Sequence, residues 1–128
     1  MTALSLTGIR VLVVEDDYVV ADALRYLIHG YGGSVTAIVP SVERALEALA
    51  VGPVDIAVLD INLHGKSVVP LAEHFRARDV PFLFLTGYGD ARLLPEHLRE
   101  HPRLAKPVEP ELLVRTMLDL CGRIVPTA

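Results

Sequence analysis

A doubly wound α/β domain around a five-stranded parallel sheet is predicted by three features of the sequence. Short apolar runs alternate with longer segments of helical period, the order that builds parallel strands joined by right-handed crossovers. The apolar runs are near-continuous rather than alternating, as strands covered on both faces are. The chain has 128 residues, 52% of them apolar and 22% charged, which is one domain with material for a real core.

The elements follow in order. Ile9 to Val14 is β-branched and ends at acidic residues, which makes it the first strand. Val19, Val20, Ala23, Leu24, Leu27 and Ile28 form a 3.6-period stripe closed by Gly30, Gly32 and Gly33. Most of Val19, Val20, Ala23 and Leu24 are expected in the core, since four apolar residues are too many for an exposed face. Ser34 to Val39 is the second strand, and Ser41 caps a helix through Val42, Ala45, Leu46 and Leu49 that stops at Gly52-Pro53. Val54 to Leu59, apolar except for Asp55, is the third strand and runs into Asp60. A helix with Val68, Val69, Leu71, Ala72 and Phe75 follows, then the fourth strand, Phe82 to Leu85. A short helix is expected around Ala91 to Leu98, a weak fifth strand at Arg103 to Ala105, and a last helix from Pro110 to Leu120. After it, Gly122 to Ala128 read as a short tail. The expectation is therefore a single domain, with its core at about 9–120 and no output domain.

Composition excludes several classes. The formal charge is −4 and no Lys/Arg run exists, so a nucleic-acid partner is not expected. Apolar stretches fall short of a membrane span. Met1-Thr2-Ala3-Leu4-Ser5 lacks the basic start and apolar core of a signal peptide. With Cys121 as the lone cysteine, a reducing, cytoplasmic setting is expected. The five histidines, His29, His64, His74, His97 and His101, show no zinc-ligand spacing, and the glycines form no nucleotide-binding pattern. Ser67 has no recognisable hydrolase context.

In a doubly wound sheet the reactive crevice lies beyond the carboxyl ends of the strands. Glu15, Asp16 and Asp17 follow the first strand, Asp60 the third, Thr86 the fourth and Lys106 the fifth. Two carboxylates about 4 Å apart repel by roughly 4 kcal/mol at an effective dielectric of 20. They must be protonated, paired with Lys106 or neutralised by a cation, and a hard dication such as Mg²⁺ suits oxygen ligands. Carboxylates, Mg²⁺, an ammonium and a hydroxyl form a site for a phosphoryl group passing in line to an Asp oxygen.

Val13-Val14-Glu15-Asp16-Asp17, Val58-Leu59-Asp60-Ile61-Asn62-Leu63, Leu85-Thr86-Gly87-Tyr88 and Ala105-Lys106-Pro107, in this order and spacing, resemble the receiver domain of two-component response regulators. The resemblance runs from about Ile9 to Leu120. It implies that Asp60 is the phosphoacceptor and that Asp16 binds Mg²⁺ directly, with Glu15 acting through water. It further implies that the backbone carbonyl of Asn62 completes the ligands and that Thr86 and Lys106 hold the phosphoryl oxygens. Asp17 is either a helix cap or a site residue, and the Lys106-Pro107 bond is expected to be cis. The implied donor is a histidine kinase or phosphotransfer protein, docking beside the first helix at the rim near Asp16 and Tyr18. The output is a downstream protein target, and a homodimer is compatible with it. The run from Pro81 to Tyr88 is similar to a subgroup with a Phe-x-Thr-Gly-aromatic motif, common among stand-alone and stress-response regulators of alphaproteobacteria.

One departure, one loop histidine and two rivals bear on this reading. Many receivers carry an aromatic three residues before the site lysine, where this chain has Arg103. Tyr88 is the candidate replacement as switch, with Arg103 at the surface formed by the fourth helix, fifth strand and last helix; a static loop residue and a solvated charge are the alternative. His64, four residues after Asp60, is either an exposed loop residue or a modulator of phosphoryl lifetime. The first rival is an aspartyl-nucleophile phosphatase, which needs a second acid where this chain has Asn62. The second is an interaction module that takes no phosphate, which the full set of site residues disfavours.

Overall fold

The computed structural model describes residues 4–123, so residues 1–3 of the amino-terminal reading and residues 124–128 of the expected tail lie outside it. Val11 to Val14 are wholly buried and make β1 (Arg10–Val14) the centre of the fold, hydrogen-bonded to β2 (Ser34–Val39) on one side and β3 (Ile56–Asp60) on the other. β6 (Phe82–Thr86) pairs with β3, and β7 (Arg103–Ala105) closes the far edge. All these pairings are parallel, in the order β2-β1-β3-β6-β7. The chain steps outward from β1 to β2 and then returns to β3. The carboxyl ends of β1 and β3 therefore flank the switch in strand order.

Alternation along β1 feeds two cores. Val11 and Val13 face Leu24 and Ile28 of α1 (Tyr18–Gly30) and Leu113, Val114 and Met117 of α4 (Pro110–Leu120). Leu12 and Val14 lie in the other core with Ala45 of α2 (Val42–Val51) and Leu71 and Phe75 of α3 (Val69–Ala77). The expected fold class stands, with β1 and β3 starting one and two residues later than expected.

Two expectations are corrected and one element is added. No α-helix covers Ala91 to Leu98. Two 3-10 turns, Asp90–Leu93 and Glu96–Leu98, take its place, so there is no fourth helix in that stretch for Arg103 to share a surface with. Pro95 is the cause: it offers no N–H and forces Leu94 into extended backbone (φ −92°, ψ 136°), which breaks the helical path. Leu94 and Leu98 still bury fully into the α2/α3 core, which explains the helical look of the sequence. Second, of the four apolar residues early in α1 only Leu24 is buried. Val20 packs partly, while Val19 and Ala23 are exposed, because the sheet is met by the Ala21, Leu24, Ile28 stripe and cannot reach the next one. Third, a small antiparallel hairpin, β4 (Asn62–Leu63) and β5 (Lys66–Ser67), follows β3. Its two-residue turn has positive φ at both His64 (51°) and Gly65 (77°), the backbone that favours glycine and tolerates few others.

Candidate functional site

The ladder continues past the strand ends and fixes the rim. Glu15 N–H donates to the Val39 carbonyl at 3.0 Å, Ile61 N–H to Leu85 at 3.1 Å, and Lys106 N–H to Thr86 at 2.9 Å. Glu15 and Asp60 are the buried charged residues among those described. Lys106 reaches both: its Nζ lies 3.0 and 3.2 Å from the Glu15 carboxylate oxygens and 3.3 Å from Asp60 Oδ2. The Lys106-Pro107 bond is cis, as expected.

Glu15, Asp16 and Asp60 each place a carboxylate oxygen within 4.8 Å of the others, the one such cluster among the described residues. One ammonium against three carboxylates leaves two negative charges in excess when all are ionised. The electrostatics register this. Burial, with Asp60 adding to it, pushes the Glu15 carboxyl up to about 7, although Lys106 pulls the other way. Burial disfavours the Lys106 ammonium, but the hydrogen bond it donates to Glu15 and the charge of Asp60 outweigh it and raise its pKa. Three hard oxygen donors with surplus negative charge fit Mg²⁺, which needs a few protein oxygens and keeps several waters.

The remaining expected residues fall into two groups. Asn62 belongs to the site: its N–H donates to Asp60 Oδ1 at 3.1 Å, and its side-chain oxygen accepts from Gly65 N–H at 2.9 Å. Thr86 ends β6 beside Lys106, and its hydroxyl donates to the Gly87 carbonyl at 2.9 Å. Asp17 does not join them; it caps α1, accepting from Val19 and Val20 N–H at 2.9 and 3.2 Å. Tyr88 is fully exposed on the loop, and Arg103 is exposed on β7 opposite Phe84.

Two contacts escape sequence reasoning, although His64 itself is among the residues it singles out. The His64 imidazole Nδ1 contacts Asp16 Oδ2 across 48 positions of chain. The available signal was the His64-Gly65 pair between two short extended runs, a two-residue hairpin in disguise. Asp90 Oδ2 accepts from Gly87 N–H at 2.9 Å and ties the loop after Thr86, inside a Gly-rich turn. Beside the site, a largely apolar groove of about 580 Å³ runs between α1 and the segment after Lys106, walled by Val19, Ala23, Tyr26, Pro107 and Val108.

Comparisons with known proteins point one way. The family model described as response regulator receiver domain matches residues 11–118. The transcriptional regulatory protein AruR of Pseudomonas aeruginosa is 32% identical over 123 residues, covering 90% of this chain and 50% of AruR. FixJ of Bradyrhizobium diazoefficiens is 27% identical over 123 residues, covering 93% of this chain and 60% of FixJ. The chain thus spans about half to three fifths of the length of these relatives. Among solved structures, SdrG from Sphingomonas melonis Fr1 is 32% identical with a TM-score of 0.78, covering 94% of this chain and 98% of that one. The PhyR stress response regulator is 28% identical with a TM-score of 0.73, covering 91% and 45%.

Proposed function

Because the chain belongs to the response regulator receiver family, whose domains serve two-component phosphorelay signalling, we propose that Asp60 accepts a phosphoryl group from a histidine kinase or phosphotransfer protein in a Mg²⁺-dependent reaction. The domain then signals by binding a downstream protein, in the cytoplasm, and catalyses only its own phosphorylation and dephosphorylation. The observation that supports this best is the single Lys106 ammonium within 3.3 Å of both buried carboxylates, Glu15 and Asp60, with Asp16 beside them.

Each residue then has a task. An Asp60 oxygen attacks phosphorus; the new O–P bond forms as the P–N bond to the donor imidazole breaks, and the imidazole leaves. Asn62 N–H already engages Oδ1 of Asp60, which orients the carboxylate. Lys106 follows the charge from Asp60 onto the phosphoryl oxygens, and the Thr86 hydroxyl exchanges the Gly87 carbonyl for one of them. Asp16, Asp60 and the Asn62 carbonyl, with Glu15 through water, would hold Mg²⁺, which would supply neutralising charge. The groove beside α1 offers the donor an apolar seat next to Lys106, with Tyr18 and Val19 exposed at the rim. On the loop after Thr86, Tyr88 is placed to register the hydroxyl's move, with Gly89 at φ 78° as a pliant neighbour and Arg103 as the exposed charge that a target reads.

The test is incubation with acetyl phosphate and Mg²⁺ followed by intact-mass measurement. Gain of one phosphoryl group is expected. Turnover of small phosphate esters would make the protein a phosphatase, and neither result would make it an interaction module. Tyr88→Ala should leave labelling intact and reduce the gain in target binding produced by beryllofluoride; an undiminished gain places the switch elsewhere.

A further inference from the structure

The hairpin after β3 ties the proposed phosphoacceptor to the proposed metal ligand. Asn62 N–H holds Asp60, Gly65 N–H holds the Asn62 side chain, and the turn between β4 and β5 presents the His64 ring to Asp16. An ionised carboxylate can only accept, so the His64 Nδ1 facing it carries the hydrogen. His64 thus engages Oδ2 of Asp16, a residue whose carboxylate also offers an oxygen to the cluster with Glu15 and Asp60. The ring itself is 81% exposed, while the Asp16 side chain is 13% exposed. Both residues line a groove of about 540 Å³ that opens on the β2–α2 side of the site. The bond therefore caps the solvent side of the one acidic residue of the cluster that is not fully buried. Presenting the ring this way keeps a non-glycine residue at φ 51°, where glycine would be the less strained choice.

We propose that His64 is a positioning residue for the divalent cation: its Nδ1–H fixes the Asp16 carboxylate in the orientation that binds Mg²⁺. Metal-ligating carboxylates are commonly held by such an outer hydrogen bond, and losing one typically weakens metal binding 10- to 100-fold. The proposal rests on the receiver reading of the acidic cluster and adds to it a residue outside the expected site set.

Calorimetric titration with MgCl₂, at one fixed pH and without any phosphoryl donor, tests it. His64→Gly removes the ring and suits the positive φ, so the fold and its melting temperature without Mg²⁺ should be retained. Mg²⁺ affinity should fall about tenfold. His64→Asn places an amide N–H near the position of Nδ1, tolerates the same backbone and cannot titrate; it should return affinity to within about threefold of the parent. His64→Ala repeats the deletion with a second backbone should the glycine variant unfold. Parent-like or tighter Mg²⁺ binding by the deletion variants, or an Asn variant as weak as they are, overturns the proposal. A parent protein that binds no Mg²⁺ and takes no phosphoryl group instead overturns the receiver reading on which it rests, together with the proposal itself.

Discussion

Arg10 and Asp55 at one end of the sheet, and Lys106 with Glu15, Asp16 and Asp60 at the other, use the same ingredients to opposite effect. Asp55 accepts three hydrogen bonds from Arg10: from its backbone N–H at 2.7 Å, and from Nε and a terminal nitrogen at 3.0 Å each. That hydrogen bonding holds the Asp55 carboxyl below its ordinary range and the Arg10 guanidinium above its own. The Asp55 charge is more than matched, since Arg123 acts on it as well as Arg10, so no surplus negative charge is left to recruit a cation. At the carboxyl ends one ammonium faces three carboxylates, two of them buried, and Glu15 is driven up to about 7. A balanced pair pins strands; an unbalanced cluster calls for a cation or a phosphoryl group.

The largest expected effect comes from breaking the unbalanced end at its centre. Asp60→Asn should abolish labelling by acetyl phosphate in the intact mass, while melting without Mg²⁺ occurs at the same temperature or higher, since one surplus negative charge is gone. Retained labelling would remove Asp60 from its role. Next, Asp16→Ala should weaken Mg²⁺ binding tenfold or more in calorimetry and leave the metal-free protein no less stable. Because a bound ligand stabilises in proportion to ln(1 + [L]/Kd), the rise of melting temperature with MgCl₂ should shrink in step. An unchanged titration would contradict the assignment.

The balanced end should respond differently. Asp55→Asn is expected to lower the melting temperature by a few degrees, and less so at high salt, with labelling and Mg²⁺ affinity unaltered. A loss of labelling in that variant would show that the two ends are not independent. The smallest effect concerns His101, whose ring stacks on Phe82 with centroids 4.4 Å apart. Burial, with Arg76 adding to it and Glu100 and Glu73 opposing, holds its pKa below the ordinary 6.5. The unfolded chain therefore takes up that proton first, and stability is lost as pH falls through 6.5. Glu15, raised in the fold, works in the opposite sense, gaining stability as pH falls from about 7. Comparing melting of the parent and His101→Gln between pH 7 and 5 cancels the Glu15 contribution; the variant should lose less on acidification.

Sequence alone determined the five strands of the main sheet, their parallel arrangement and the residues at their carboxyl ends. A strand of four or five apolar residues followed by Glu15-Asp16 or Asp60 states both its burial and its exit, because a covered sheet admits charge only where the strand leaves it. The cap of α2 by Ser41 was equally legible, since one hydroxyl and the Arg44 N–H three residues on form a local contact. Only the tertiary structure decided the rest. Asp17 and Asp16 are neighbours of one type, yet the helix start claims the first and the acidic cluster the second. Val19 and Leu24 share a helical stripe by periodicity, but the sheet is wide enough to bury only Leu24. Apolar periodicity around Leu94 and Leu98 survives without a helix because Pro95 breaks the backbone while the core still takes both side chains. The His64–Asp16 contact joins residues 48 positions apart through a hairpin only two residues per strand long. Local hydrogen bonding and periodicity are written in adjacent residues; which charges end up facing one another is set by strand order and turn geometry, which no local window contains.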